Sequence, residues 1–248
     1  MGKAYVVTSG KGGTGKTSVT AGVASCLAAL GRRVICVDAD MGLRNLDIAL
    51  GLIDRTALDL IDVLEGRADC LSAAVQHPVI SGLALISAPA VTPEALPPLS
   101  TMKAFIGGLK ARCDYLFIDS PAGLGECFSL AACGADAAIV VSTPDAASLR
   151  DARRAAEALC GMGIEDTGLV LNRIRQKLIT RKLAANVDDA MDRIGMRLLG
   201  VVPEDEQVIT CANRGIPLIL CESKGAARAC LNIAKRLDGK PVPIMRLR

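Results

Sequence analysis

Seven short apolar runs, each closing on a polar, glycine or proline group, limit the folds open to this chain more than any other feature. They read "AYVVTS", "RRVICVDAD", "GLALISAP", "DYLFIDSPAG", "AAIVVSTP", "GLVLNRI" and "RLLGVVPED". Their apolar cores do not alternate with polar residues, so they belong to strands covered on both faces. Helical patterns lie between them: "KTSVTAGVASCLAALG", which stops at Gly31, "STMKAFIGGLKARC" and "DAASLRDARRAAEALCGMG", with "GAARACLNIAKRLDG" closing the series. Strand and helix alternate throughout, which predicts an α/β fold: a doubly wound, mainly parallel sheet with helices on both faces. No Pro/Ser-rich linker, low-complexity tract or solenoid-length repeat divides the 248 residues. The expectation is one domain over residues 1–248, with 239–248 as a flexible tail.

Composition removes several classes of function. The chain is 51% hydrophobic, but its apolar blocks are broken by charge well short of a membrane span, and no signal-type segment precedes the first strand. A cytoplasmic protein is expected. The ten cysteines are dispersed with no C-x-x-C pair, which points to reduced thiols in the core rather than to a disulfide framework or a zinc site. His77, the only histidine, has no second ligand for a metal and is read as structural. A net charge of +3 with no Trp, two Tyr and three Phe supports neither a strong polyanion field nor a base-stacking platform.

The first strand and the first helix are joined by "SGKGGTGKTS", residues 9 to 18. Gly10, Gly15, Lys16 and Thr17 fill the pattern G-x-x-x-x-G-K-[ST], whose backbone N–H groups cradle nucleotide phosphates. The context matches the chemistry, because a loop entering a helix offers both an N–H nest and the positive end of the helix dipole. Lys16 is expected on the β- and γ-phosphates of a bound nucleotide and Thr17 on Mg²⁺, in a P-loop NTPase fold. The candidate phosphate contacts are Gly10, Lys11, Gly12, Gly13, Thr14, Gly15, Lys16, Thr17 and Ser18. Lys11 is a second lysine for which this pattern has no place.

Two acidic strand ends accompany the loop. "YLFIDSPAG" ends in Asp119, which has the form of the carboxylate that holds Mg²⁺ in such sites; alone it would equally be a cap on the next turn. "VDADMGLRNLD" places Asp38 and Asp40 two residues apart, so both face the phosphates if the strand stays extended that far. A carboxylate there can hold the attacking water in line with the γ-phosphate, although an Asp-rich stretch is also a common turn.

The heptapeptide "KGGTGKT" resembles the deviant Walker A motif of the ParA/MinD ATPases, and "DADMGLRNLD", "DSPAG", "TPDAASLRDA" and "GVVPED" are similar to segments of its MinD branch. The resemblance runs from the first strand to about residue 240. It implies that Lys11 reaches across an ATP-dependent homodimer to the partner's phosphates, that Asp40 orients the hydrolytic water and that Asp38 and Asp119 support Mg²⁺. It places Asn172 and Arg173 at the adenine, with Pro203, Glu204 and Asp205 completing that pocket. Lys11, Lys16 and Asp40 are thus the expected catalytic residues.

The resemblance further implies slow ATP hydrolysis, recruitment of a MinC-type division inhibitor, and in some lineages a MinE-type activator. Both partners would engage the helix carrying Leu149, Arg150, Asp151 and Arg154, a stretch that also reads as a solvated helix face. Membrane attachment in this branch uses a basic amphipathic helix at the C-terminus, whereas "DGKPVPIMRLR" carries Pro241 and Pro243 and too few residues beyond them. The expected location is therefore the cytoplasm, with weak peripheral contact at the inner face of the cell membrane as the alternative. A ParA-type partition ATPase, with "NRIRQKLITRK" on DNA, and an FlhG-type flagellar-number ATPase are the neighbouring alternatives. A metabolic P-loop enzyme or metal-cluster carrier would need a substrate domain or a C-x-x-C pair, neither of which the sequence offers.

Overall fold

The computed structural model describes residues 1–53, 55 and 57–245. From the N-terminus the elements are β1 (Lys3–Thr8), α1 (Lys16–Ala29), β2 (Val34–Asp38), α2 (Leu46–Leu50), α3 (Leu60–Leu64) and α4 (Cys70–Ala73). Next come β3 (Val75–Gln76), β4 (Leu83–Ile86), α5 (Leu99–Lys110), β5 (Tyr115–Asp119), α6 (Glu126–Ala132), β6 (Ala137–Ser142) and α7 (Ala146–Gly161). The remainder is β7 (Thr167–Ile174), α8 (Gln176–Thr180), α9 (Val187–Ile194), β8 (Leu198–Pro203), α10 (Glu206–Asn213), α11 (Leu218–Cys221) and α12 (Gly225–Leu237).

The eight strands form one sheet in the order β3-β4-β2-β5-β1-β6-β7-β8. All seven strands expected from the sequence are present and pair in parallel. The eighth, β3, is a two-residue antiparallel edge on β4. It is too short to show a period, which is why the sequence does not announce it. Successive residues of each central strand enter opposite cores, as the pleat requires. In β1, Ala4 and Val6 join the face covered by α5, α6 and α7, while Tyr5 and Val7 join the face covered by α1 and α12. This double burial is what the continuous apolar runs record.

Strand β1 lies between β5 and β6, and β2 lies on the far side of β5. The carboxyl ends of β1, β2 and β5 therefore stand side by side, with Val7 opposite Asp119 and Asp119 opposite Asp38 in the register. Helix α1 is buried along most of its length, and its small residues allow close neighbours: a Cβ on Gly22 would lie 2.6 Å from Cys230 Sγ of α12.

The ten cysteines are free thiols, as expected, but only five are buried; Cys160 and Cys221 are exposed. His77 is structural: its Nε2 donates to Leu50 O at 3.1 Å and its Nδ1 accepts from the N–H groups of Val79 and Ile80. That pattern requires the neutral ring, and burial accordingly holds its pKa below the ordinary histidine value. The C-terminal segment from Pro241 to Met245 has no regular element; the rest of the expected tail, 246–248, lies outside the described residues.

Candidate nucleotide site

The loop after β1 turns sharply through Gly13 and Gly15, with φ of 80° and 89°. Those values lie in the region that side chains disfavour, so glycine fits here for a physical reason. Gly15 is the N-cap of α1 and supplies no side chain, leaving the first-turn N–H groups of the helix open to an anion. Gly10 lies against α7, where a Cβ would come within 2.0 Å of Asp151 O. On the other side Asn172, at the end of β7, donates from Nδ2 to Thr14 O at 2.8 Å. The cradle is thus held between two elements that follow it by more than 130 residues.

Lys16 is buried at the base of the loop, whereas Lys11 is exposed at its outer face. Asp119 receives two hydroxyls of α1, Thr17 Oγ1 at 2.7 Å and Thr20 Oγ1 at 2.9 Å. Burial raises the Asp119 pKa to about 6; the charge of Lys16 and the two threonine hydrogen bonds oppose that rise. Thr20 is a site residue that the sequence reading did not single out. Its signal was available, since Thr17 and Thr20 stand three apart and share one face of the helix.

Strand β2 ends at Asp38, two residues before Asp40. Asp38 turns inward: one carboxylate oxygen accepts from Asp40 N at 2.9 Å and the other from Leu46 N at 3.1 Å. Burial, reinforced by the charge of Asp119, pushes its pKa up to about 7. Asp40 lies at the surface of the same cluster. Partial burial raises its pKa, and the field of Lys16 works against the rise. The two carboxylates therefore hold different positions: Asp38 shapes the loop, and Asp40 faces the space beside Lys16.

A cavity of about 540 Å³ opens from the loop, bordered by Gly13, Gly15, Ser18, Asn172, Arg173, Pro203, Glu204 and Asp205. Arg173 occupies it with φ of 56°, a left-handed value for a non-glycine residue, next to a register irregularity in β7. Its guanidinium meets Glu204 at 3.1 Å and Gly13 O at 3.4 Å, and Arg175 also pairs with Glu204. Asp205 caps α10 through Gln207 N and holds Ala226 N of α12 at 2.9 Å. The sequence reading placed Arg175, two residues beyond Arg173, only in the basic stretch "NRIRQKLITRK" and not at this cavity.

These residues suit a magnesium nucleotide. The loop offers donors and a lysine but no acidic group of its own, and the hydroxyl of Thr14 is buried there without a partner. Among the described residues no cluster of three or more His, Cys, Asp or Glu side chains could hold a metal alone. That suits Mg²⁺, which takes one or two protein ligands and completes its shell from phosphates and water. Thr17 and Asp119, joined at 2.7 Å, are the residues that could hold it, with Asp38 opposite Asp119 on the next strand.

Fold and site together define a P-loop nucleotide-binding protein. The model of the CobQ/CobB/MinD/ParA nucleotide binding domain matches residues 5–218. The septum site-determining protein MinD of Bacillus subtilis is 40% identical, an alignment covering 98% of this chain and 92% of that one. The MinC:MinD cell division protein complex of Aquifex aeolicus superimposes with a TM-score of 0.91 at 35% identity, covering 98% of both chains. MinD of Pyrococcus horikoshii, solved with Mg-ADP, gives 0.86 at 30% identity and 96% coverage of each. The chain belongs to the CobQ/CobB/MinD/ParA family and to its MinD branch.

Proposed function

We propose that the chain is an ATP-driven dimerising switch that acts in division-site placement, with residues 1–248 working as one domain. The observation that carries this reading is the contrast between its two loop lysines. Lys16 is buried at the base of the loop, while Lys11 is exposed on the same loop. A second copy closing over the nucleotide would give Lys11 a phosphate to meet, in the manner of a group supplied in trans.

In this reading the loop N–H groups and Lys16 hold the ATP phosphates. Asp40 orients the attacking water, and Asp119 is kept in place by Thr17 and Thr20. Bound Mg²⁺ would supply electrostatic stabilisation of the phosphates. Asn172 ties the base cavity to the loop, and Pro203, Glu204 and Asp205 form its far wall. Basal hydrolysis is slow, because one subunit lacks the second lysine. The ATP dimer would recruit a MinC-type inhibitor, as the Aquifex complex suggests by analogy, through the exposed face of α7 around Arg150 and Arg154. A MinE-type activator would use the same face. The relatives favour this reading over a DNA-partition ATPase.

No helix among the described residues is long and apolar enough to cross a membrane. Co-elution tests the proposal: with a MinC-type inhibitor, the chain should form a complex in a non-hydrolysable ATP analogue and lose it in ADP. Complex formation indifferent to the nucleotide would count against a switch.

A further inference from the structure

Beside the base cavity, and on the other side of Glu204, lies a second and larger concavity of about 1500 Å³. Helix α8 and the residues just before it form one wall, and the start of α12 forms the other. Five cations reach it: Arg175, Lys177, Arg181, Lys224 and Arg228. Arg175 is paired with Glu204. Among the described residues the other four have no carboxylate within ion-pair distance, and all four are exposed. Four unpaired cations around one groove in a chain of net charge +3 concentrate its positive field there.

The floor is not polar. Ile174 is buried beneath it, and Leu178 and Met245 are half-buried along its sides. Four kinds of anion could answer the charge, and the shape separates them. A small metabolite fills about 300–1,000 Å³, so the groove is oversized for one. A flat bilayer surface cannot follow a concave wall. Single-stranded nucleic acid binds by stacking bases on aromatic rings, and no aromatic residue lines this groove. A peptide segment with acidic side chains for the rim and apolar ones for the floor meets both features.

We propose that this groove docks an acidic, apolar-anchored segment of a partner protein. It is a different surface from the exposed face of α7. Because the groove and the base cavity share the Arg175–Glu204 pair, occupation of one alters affinity at the other by a reciprocal factor. Only this linkage rests on the nucleotide reading of the neighbouring cavity.

The test is fluorescence polarisation at physiological salt with a fluorescein-labelled peptide of alternating glutamate and leucine, and a matched peptide of glutamate and serine. The intact chain should bind the first saturably and the second more weakly. Arg181→Glu with Arg228→Glu should weaken binding by at least about tenfold while labelled ADP still binds, since neither residue borders the nucleotide cavity. Should charge reversal disturb folding, Arg181→Gln with Arg228→Gln must give a smaller loss in the same direction. Equal affinity for the two peptides, or no loss in either double variant, overturns the proposal. So does tighter binding to duplex DNA or to phosphatidylglycerol vesicles that the same variants abolish. ADP affinity unchanged by saturating peptide overturns the linkage; absence of ADP binding altogether would instead indict the nucleotide reading.

Discussion

Asp38 and Asp119 sit opposite each other on adjacent strands, both buried; the charge of Asp119 makes Asp38 harder to ionise, and that of Asp40 does the same to Asp119. Their pKa values in the fold, about 7 and about 6, lie above the ordinary 3.8. The folded chain therefore holds more protons than the unfolded one between those limits, and its stability falls as pH rises from about 4 to about 7. His77 works in the opposite sense, since its depressed pKa favours the fold at higher pH, so the carboxylate contribution is best isolated by a variant. Asn at position 119 would keep both threonine contacts, because a hydroxyl can donate to the amide oxygen or accept from its nitrogen. Asp119→Asn is expected to raise the melting temperature of the nucleotide-free chain near pH 8 and to flatten its pH slope. A lower melting temperature at that pH would show that the buried charge is not the cost we assign to it. Chemistry and binding separate at the neighbouring positions. Asp40→Ala should retain ATP and accumulate the ATP dimer while hydrolysis falls by about a hundredfold or more, whereas Lys16→Ala should lose productive phosphate binding. Wild-type phosphate release from Asp40→Ala would show that Asp40 does not position the attacking water. The residue types were legible because the loop pattern and the strand-end aspartates are local in sequence. The inward turn of Asp38 was not, because it depends on the N–H of Leu46 eight residues away.

The elements most visible in the sequence were those whose burial is continuous: the seven parallel strands and the long helices α1, α5, α7 and α12. What escaped was short or decided by contact. Strand β3 has two residues, and the one-turn helices before it, α3 and α4, are fixed by side-chain caps: Asp59 accepts from the N–H groups of Ile61 and Asp62, and Asp69 from those of Leu71 and Ser72. The order of strands also escaped, since pattern shows that strands pair but not which neighbours they take. The packing of the nucleotide loop belongs to this scale. Gly10 touches the backbone of Asp151 closely enough that a methyl group would force the loop and α7 apart. Gly10→Ala is expected to cost about 1–3 kcal/mol of stability, read from urea or thermal unfolding, and to weaken nucleotide binding. An unchanged midpoint with unchanged ADP affinity would mean that the loop can move away without consequence.

Across the whole molecule the sheet gathers the carboxyl ends of β1, β2 and β5 at one edge, with β7 and β8 bordering the cavity of about 540 Å³ beside them. In the proposed switch the site needs one further charge for the transition state, and the exposed Lys11 is the residue proposed to carry it to a second copy. That arrangement makes association with a second copy the central claim, and it was open to the sequence only through the resemblance carried by "KGGTGKT", since pattern alone gives an extra lysine no direction. The most direct measurement is the molar mass in solution by light scattering, taken in ADP and in a non-hydrolysable ATP analogue for the intact chain and for Lys11→Ala. The account predicts a monomer in ADP, a dimer in the analogue, and a loss of both the dimer and ATP hydrolysis in the variant. The same monomer mass in both nucleotides, or a Lys11→Ala chain that dimerises and hydrolyses ATP like the wild type, would contradict it.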